Sequence, residues 1–214
     1  MKIMGVASKS AAFQWELLYL FSQLSTDQRP VVAALAPPVE SAMNTLDARI
    51  AAHEHARAAV VIATALLHKR DMARDGLILE LGGVARATGR ETYKQLFPKY
   101  SPSRTAKLAM DEETEEVQRI LGEIATFAAT HPLRVQYEAK LVAAQADVNA
   151  AKAQWAAAEV ALKLERSQMQ RCKVDLDKLR LETHGKLLAL LADKSEADSF
   201  YRPTTRAPEE AIEN

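Results

Sequence analysis

The sequence predicts an all-α protein: an elongated antiparallel coiled coil or helical bundle built on two long helices. Three observations predict it. Read from Leu141, every seventh residue is Leu141, Val148, Trp155, Leu162, Met169, Leu176, Thr183 and Leu190, and only Thr183 is not apolar. A repeat of seven kept that long is a coiled-coil seam, because the stripe of an ordinary amphipathic helix would drift around its axis. The composition is 48% hydrophobic but only 6% aromatic, so much of the apolar content is Ala, the best helix former. Thin, close-packed seams follow from that more readily than a thick core. Only 7 Gly and 8 Pro are present, mostly outside the periodic stretches, and no strand-like alternation appears.

The first element is a helix over residues 11–24, after a frayed start, with Ser10 placed to cap it. Phe13, Leu17, Leu20 and Phe21 form one face, with Trp15 and Tyr19 beside them. That is more apolar surface than one face needs. The segment 1–36 therefore either packs on the long helices or docks on a partner, and these six residues are candidate interaction residues. It lacks the Lys/Arg-rich polar face of a membrane-surface helix, which favours a protein partner over a membrane. A short helix from Pro30 to Leu35 follows, and Pro37-Pro38 reads as an extended link.

The first long helix spans about 39–96. Val39, Met43, Leu46, Ile50, Val60 and Leu67 alternate in steps of three and four, with His53 and Arg57 breaking the seam. Gly76 and Gly82-Gly83 each cost about 1 kcal/mol inside a helix. The favoured reading is a continuous helix kinked near Gly82-Gly83, and the alternative is a break at Gly76. Residues 97–131 form a tip. There Pro98 and Pro102 punctuate a loop, and a helix runs over 111–130 with Asp111 as its cap. Its early acids suit the positive end of the helix dipole.

The second long helix spans about 132–192, close to 90 Å at ~1.5 Å per residue, so its seam needs a partner helix. Its length matches the first, which suggests an antiparallel pair. Ala144, Ala151 and Ala158 allow close backbone approach. Glu165, Thr183 and Lys186 interrupt the seam, as register-setting positions facing His53, Arg57 or Thr64, or as seam positions left half open. Asp193 to Asp198 extends the helix by a turn or two. Residues 37–200 thus form the elongated bundle, and the acidic tail 201–214 is expected to be disordered.

Several chemistries find no support. Lys plus Arg and Asp plus Glu both number 28, so no net field draws the chain to nucleic acid or anionic lipid. The single Cys172 excludes an intrachain disulfide, fits a reducing compartment, and reads as a small buried apolar residue. No Glu has a His three positions on, so the di-metal bundle pattern is absent. His53-Glu54-His55 fails the zinc pattern because Arg57 stands where its second His belongs. No phosphate loop, dinucleotide fingerprint or nucleophile elbow appears. No apolar run approaches the ~20 residues that cross a bilayer, and Met1 to Ser25 does not read as a secretory signal.

One local charge feature stands out. Arg86, Arg90, Lys94, Lys99, Arg104 and Lys107 surround Tyr93, Phe97 and Tyr100, with Glu91 the one acid among them. The acidic run Asp111 to Glu116 follows. These groups either neutralise one another as solvated pairs or form a recognition tip, with Arg90, Lys94, Phe97, Tyr100, Arg104 and Lys107 as candidate contacts. Nucleic acid is the less favoured partner, because the acids would repel its phosphates.

The resulting expectation is a non-enzymatic scaffold or oligomerisation element. It needs no cofactor or metal, associates with itself or another helical protein, and by default resides in the cytoplasm. A binding module using the tip 86–107 is the runner-up, and a helical-bundle enzyme or ligand carrier with no recognisable motif comes third.

Overall fold

The computed structural model describes residues 4–203. Every regular element among them is helical: α1 (Ser10–Ser25), α2 (Pro30–Ala33), α3 (Ala36–Thr88), α4 (Arg90–Leu96), α5 (Pro102–Thr105), α6 (Met110–Thr126), α7 (Pro132–Leu191) and α8 (Lys194–Ser199). The all-α class and the two long helices agree with the sequence reading.

The boundaries correct it in several places. Ser10 is the first residue of α1 and does not cap it; Lys9 stands at the cap with no side-chain bond. Pro37 and Pro38 form no extended link but lie in the first turn of α3, where a missing N–H and a fixed φ cost nothing. The first long helix runs through Gly76 and Gly82-Gly83 and stops before Gly89. At φ 157° and ψ 156° Gly89 adopts a backbone conformation that side chains rarely tolerate. Asp111 is not the cap of α6, which is Ala109. The helix ends at Thr126, and Phe127 already has an extended ψ of 154°.

Ala192, at φ 55°, separates α7 from α8. The carboxylate of Asp193 then caps α8 by accepting from the Ser195 and Glu196 amides at 2.7 and 3.4 Å. Of the tail expected to be disordered, Tyr201 is instead packed, at 3% exposure. Residues 204–214, to which the rest of that expectation applies, lie outside the described ones.

The chain divides into two compact units. One comprises Met1–Arg57 with Ala161–Asn214, the other Ala58–Val160. In the discontinuous unit, Phe13, Leu17, Leu20 and Leu24 of α1 are fully buried with Leu46 of α3 and with Met169, Cys172 and Leu176 of α7. Phe200 and Tyr201 close the same core. In the contiguous unit, Ile78 and Leu81 of α3 meet Val117, Ile120 and Ile124 of α6 and Leu133, Tyr137 and Leu141 of α7. Each unit thus joins a short helix to the half of a long helix that follows it and to the closing half of the other long helix.

The two heptad lines of α7 differ in burial: in the line three residues on from Leu141, only Ala151 and Cys172 are buried and Lys186 is exposed. Leu141, Val148, Leu162, Met169, Leu176 and Thr183 are buried, whereas Trp155 and Leu190 are 36% and 46% exposed. Within the segment Pro30–Thr88, an 18-residue stretch reaches mean hydropathy 1.2 with at most two charged residues, and 17% of it is buried. By length and composition that stretch qualifies as a bilayer span, an exception to the reading that nothing in the chain comes near one.

Candidate functional site

Each unit holds one fully enclosed arginine with acidic groups set around it. Arg74 is 0% exposed on α3. Its Nη2 donates to Asp71 Oδ1 and lies 2.7 Å from Glu113 Oε2, the first contact also 2.7 Å. Its Nη1 donates to Gln145 Oε1 at 2.9 Å and to Thr114 Oγ1 at 3.1 Å. One guanidinium thereby ties α3 to α6 and α7, its planar fork matching several acceptors at once.

Asp71, Arg74 and Asp75 stand at spacings of three and four, which places them on one face of α3. The oxygens of Asp71, Asp75 and Glu113 all lie within 4.8 Å of one another. Burial, reinforced by the Asp75 carboxyl beside it, pushes Glu113 up to about 8, while Arg74 pulls the other way. Burial also raises Asp75.

Arg180 is the counterpart on α7, 1% exposed. Its Nη1 donates to Asp177 Oδ1 at 2.8 Å and its Nη2 to Glu16 Oε2 of α1 at 3.3 Å. Its backbone carbonyl accepts from the Tyr201 hydroxyl at 2.8 Å, and burial pushes that phenol well above its ordinary value. His184 Nε2 meets Asp198 Oδ1 at 2.8 Å beside the same tyrosine. The two clusters share a device: an aspartate three residues before the arginine and a glutamate from the short helix of that unit. In both, the strong groups are bonded largely to one another and tie helices together across the unit. The sequence shows no repeat to announce this.

The sequence-derived candidates divide. Phe13, Leu17 and Leu20 are core, Tyr19 and Phe21 are half-buried, and Trp15 is 59% exposed. Trp15 and Leu18 border a groove of about 410 Å³ with Met43 and Leu46. Phe97 is buried and Tyr100 half-buried, while Arg90, Lys94, Arg104 and Lys107 are exposed. No direct ion pair joins these cations to the acidic run among the described residues, although the Glu116 and Glu112 charges help raise Lys99. Asp111 engages Lys152, Glu116 engages Arg119, and Lys94 stands 3.9 Å from Glu91. Arg86 and Lys99 instead lie over the rings of Tyr93 and Tyr100 at 4.9 and 4.7 Å. Glu165 is 3.8 Å from Arg49, so Arg49 takes the place expected for His53, Arg57 or Thr64. Arg49, Gln168 and Cys172 line an open groove of about 540 Å³.

Sequence reasoning missed both arginines, because a charged residue is ordinarily assigned to water. A signal existed for one of them: counting by sevens from Val39 passes through Leu46, His53, Val60 and Leu67 and lands on Arg74 before Leu81. It also missed a row on α7. Ala139, Ala146, Ala153, Val160, Ser167, Val174 and Leu181 recur every seven residues two positions after the Ala144–Ala151–Ala158 seam line, and all seven are exposed.

Comparison of the chain with protein-family models, with curated proteins and with solved structures found no match. The class defined by fold and clusters is an all-α helical-bundle protein.

Proposed function

We propose that the protein is a non-enzymatic structural and interaction element, with α3 and α7 as an antiparallel coiled-coil pair and the outer row of α7 as a self-association surface. The row itself carries this reading. In a coiled-coil pair that register position faces water and is ordinarily polar. Here it reads Ala, Ala, Ala, Val, Ser, Val, Leu, with Val160, Val174 and Leu181 at 65%, 54% and 45% exposure. An apolar row at strict heptad spacing is what a further helix would cover. The antiparallel sense draws support from the contiguous unit, where Arg70 meets Asp147 and Arg74 meets Gln145, the numbers running in opposite directions.

The test is sedimentation velocity on the full chain and on the double variant Val174→Lys, Leu181→Lys. The parent should sediment as a dimer or larger of its 23.6 kDa chain, and the variant as the monomer. A parent that stays monomeric at tens of micromolar defeats the reading. Deleting residues 1–36 is a poor probe, since it removes four fully buried residues of α1.

A second reading rests on Arg90, Arg104 and Lys107, which are exposed and have no acidic partner among the described residues. The stretch 86–107 would then contact a protein or nucleic acid. A gel shift at low salt, abolished by changing Arg90, Lys94, Arg104 and Lys107 to Ala, is the expected result for nucleic acid. No shift with the parent removes that version.

A further inference from the structure

The contiguous unit contains two carboxyl oxygens that nothing satisfies. Asp75 Oδ1 and Glu113 Oε1 are both sealed from solvent, and neither accepts a hydrogen bond from any described group. They belong to side chains that face each other between α3 and the first turn of α6. Two ionised oxygens so placed repel, and burial removes the water that would otherwise screen them. A single proton between them reverses the interaction, making one carboxyl a donor to the other.

Arg74 does not do this work. Its Nη2 is turned to Asp71 Oδ1 and to the other oxygen of Glu113. The titratable groups facing the pair are Asp71 and Arg74 on α3. On the α6 side the nearby polar group is Thr114, and on α7 they are Gln145 and Asn149, all uncharged. A divalent cation is the other occupant that three carboxylates invite. Arg74 already supplies positive charge to two of them at 2.7 Å, which disfavours a second cation.

We propose that Asp75 and Glu113 share one proton in the folded protein, and that this proton latches the first turn of α6 onto α3, so that α6 docks firmly in mild acid and loosens as the pH rises.

The direction follows from linkage. Glu113 is pushed from 4.5 up to about 8 by burial and by Asp75, so the folded chain keeps a proton that the unfolded chain has released. The stability this contributes is fully present below about pH 4.5 and is lost as the pH climbs through about 8. Within that window the unfolding equilibrium constant rises by up to tenfold per pH unit from this proton alone.

The test compares urea unfolding of the full-length parent with Glu113→Gln and Asp75→Asn between pH 5 and 8.5. Either amide supplies a permanent hydrogen-bond donor and removes the shared proton. The parent should lose stability with rising pH relative to both variants, by several-fold to tenfold per unit. Equal pH slopes in all three chains overturn the proposal. Should either variant fail to fold, a carbon-13 titration of the parent's carboxyls decides: one buried Asp or Glu must titrate near neutrality, and a Glu113 midpoint near 4.5 refutes the shared proton. Stabilisation of the parent at pH 8.5 by millimolar Ca²⁺ or Mn²⁺, lost in Glu113→Gln, also overturns it in favour of a metal.

Discussion

The ring of Pro102 rests on the bare backbone of Gly82. A Cβ added at Gly82 would lie 2.1 Å from Pro102 Cγ and 2.6 Å from its Cβ, far inside any tolerable contact. This seats α5 directly on α3, and it explains a glycine that helix propensity alone would count as a defect.

Gly82→Ala should therefore destabilise the protein by about 1–3 kcal/mol, the usual cost of forcing extra atoms into a filled site. Gly76 and Gly83 have nothing within 4 Å of an added Cβ and carry no positive φ. Alanine there should stabilise by about 0.5–1 kcal/mol through helix propensity. Thermal unfolding of the three single variants reads the contrast in sign.

Arg74→Ala removes the charge that Asp71 and Glu113 share and leaves both carboxylates without their guanidinium donor. Breaking one side of an enclosed ion pair costs on the order of 3–5 kcal/mol. Urea denaturation at neutral pH should show a loss of that size.

Tyr201→Phe deletes the hydroxyl that donates to the Arg180 carbonyl at 2.8 Å while keeping a ring that is 3% exposed. The expected loss is about 1 kcal/mol. A loss near zero would mean that the ring alone holds the segment after α8 in place.

Cys172 is 8% exposed, and burial raises its thiol above the ordinary range. The native protein should react slowly with an aromatic disulfide reagent at pH 7.5, and the urea-unfolded chain at the ordinary thiol rate. Equal rates would show that the unit opens easily around α7.

The second long helix was legible because its heptad is regular and no proline interrupts it, so its observed bounds lie within a residue of those expected. The first was harder. Its glycines at 76, 82 and 83 looked like the weak points, yet the helix ends at Gly89, whose backbone angles a side chain would resist. Local propensity does not register that a proline twenty residues later fills the space above Gly82. Pro37 and Pro38 misled for a related reason, because a proline that breaks a helix interior is welcome in a first turn. Phe13, Leu17 and Leu20 were recognisable as apolar, but the choice between core and exposed patch depended on α7 and the segment after it. The Arg74 and Arg180 clusters were illegible as sites, since each draws its partners from helices far apart in the chain.

The division of the chain also sets an order of assembly on the ribosome. Ala58–Val160 is one uninterrupted stretch and can close its core as soon as it emerges. Phe13, Leu17, Leu20 and Leu24 must wait for Met169, Cys172 and Leu176. At ~5–20 residues per second that delay is on the order of ten seconds. Through that interval the apolar face of the amino-terminal helix has no completed core to enter.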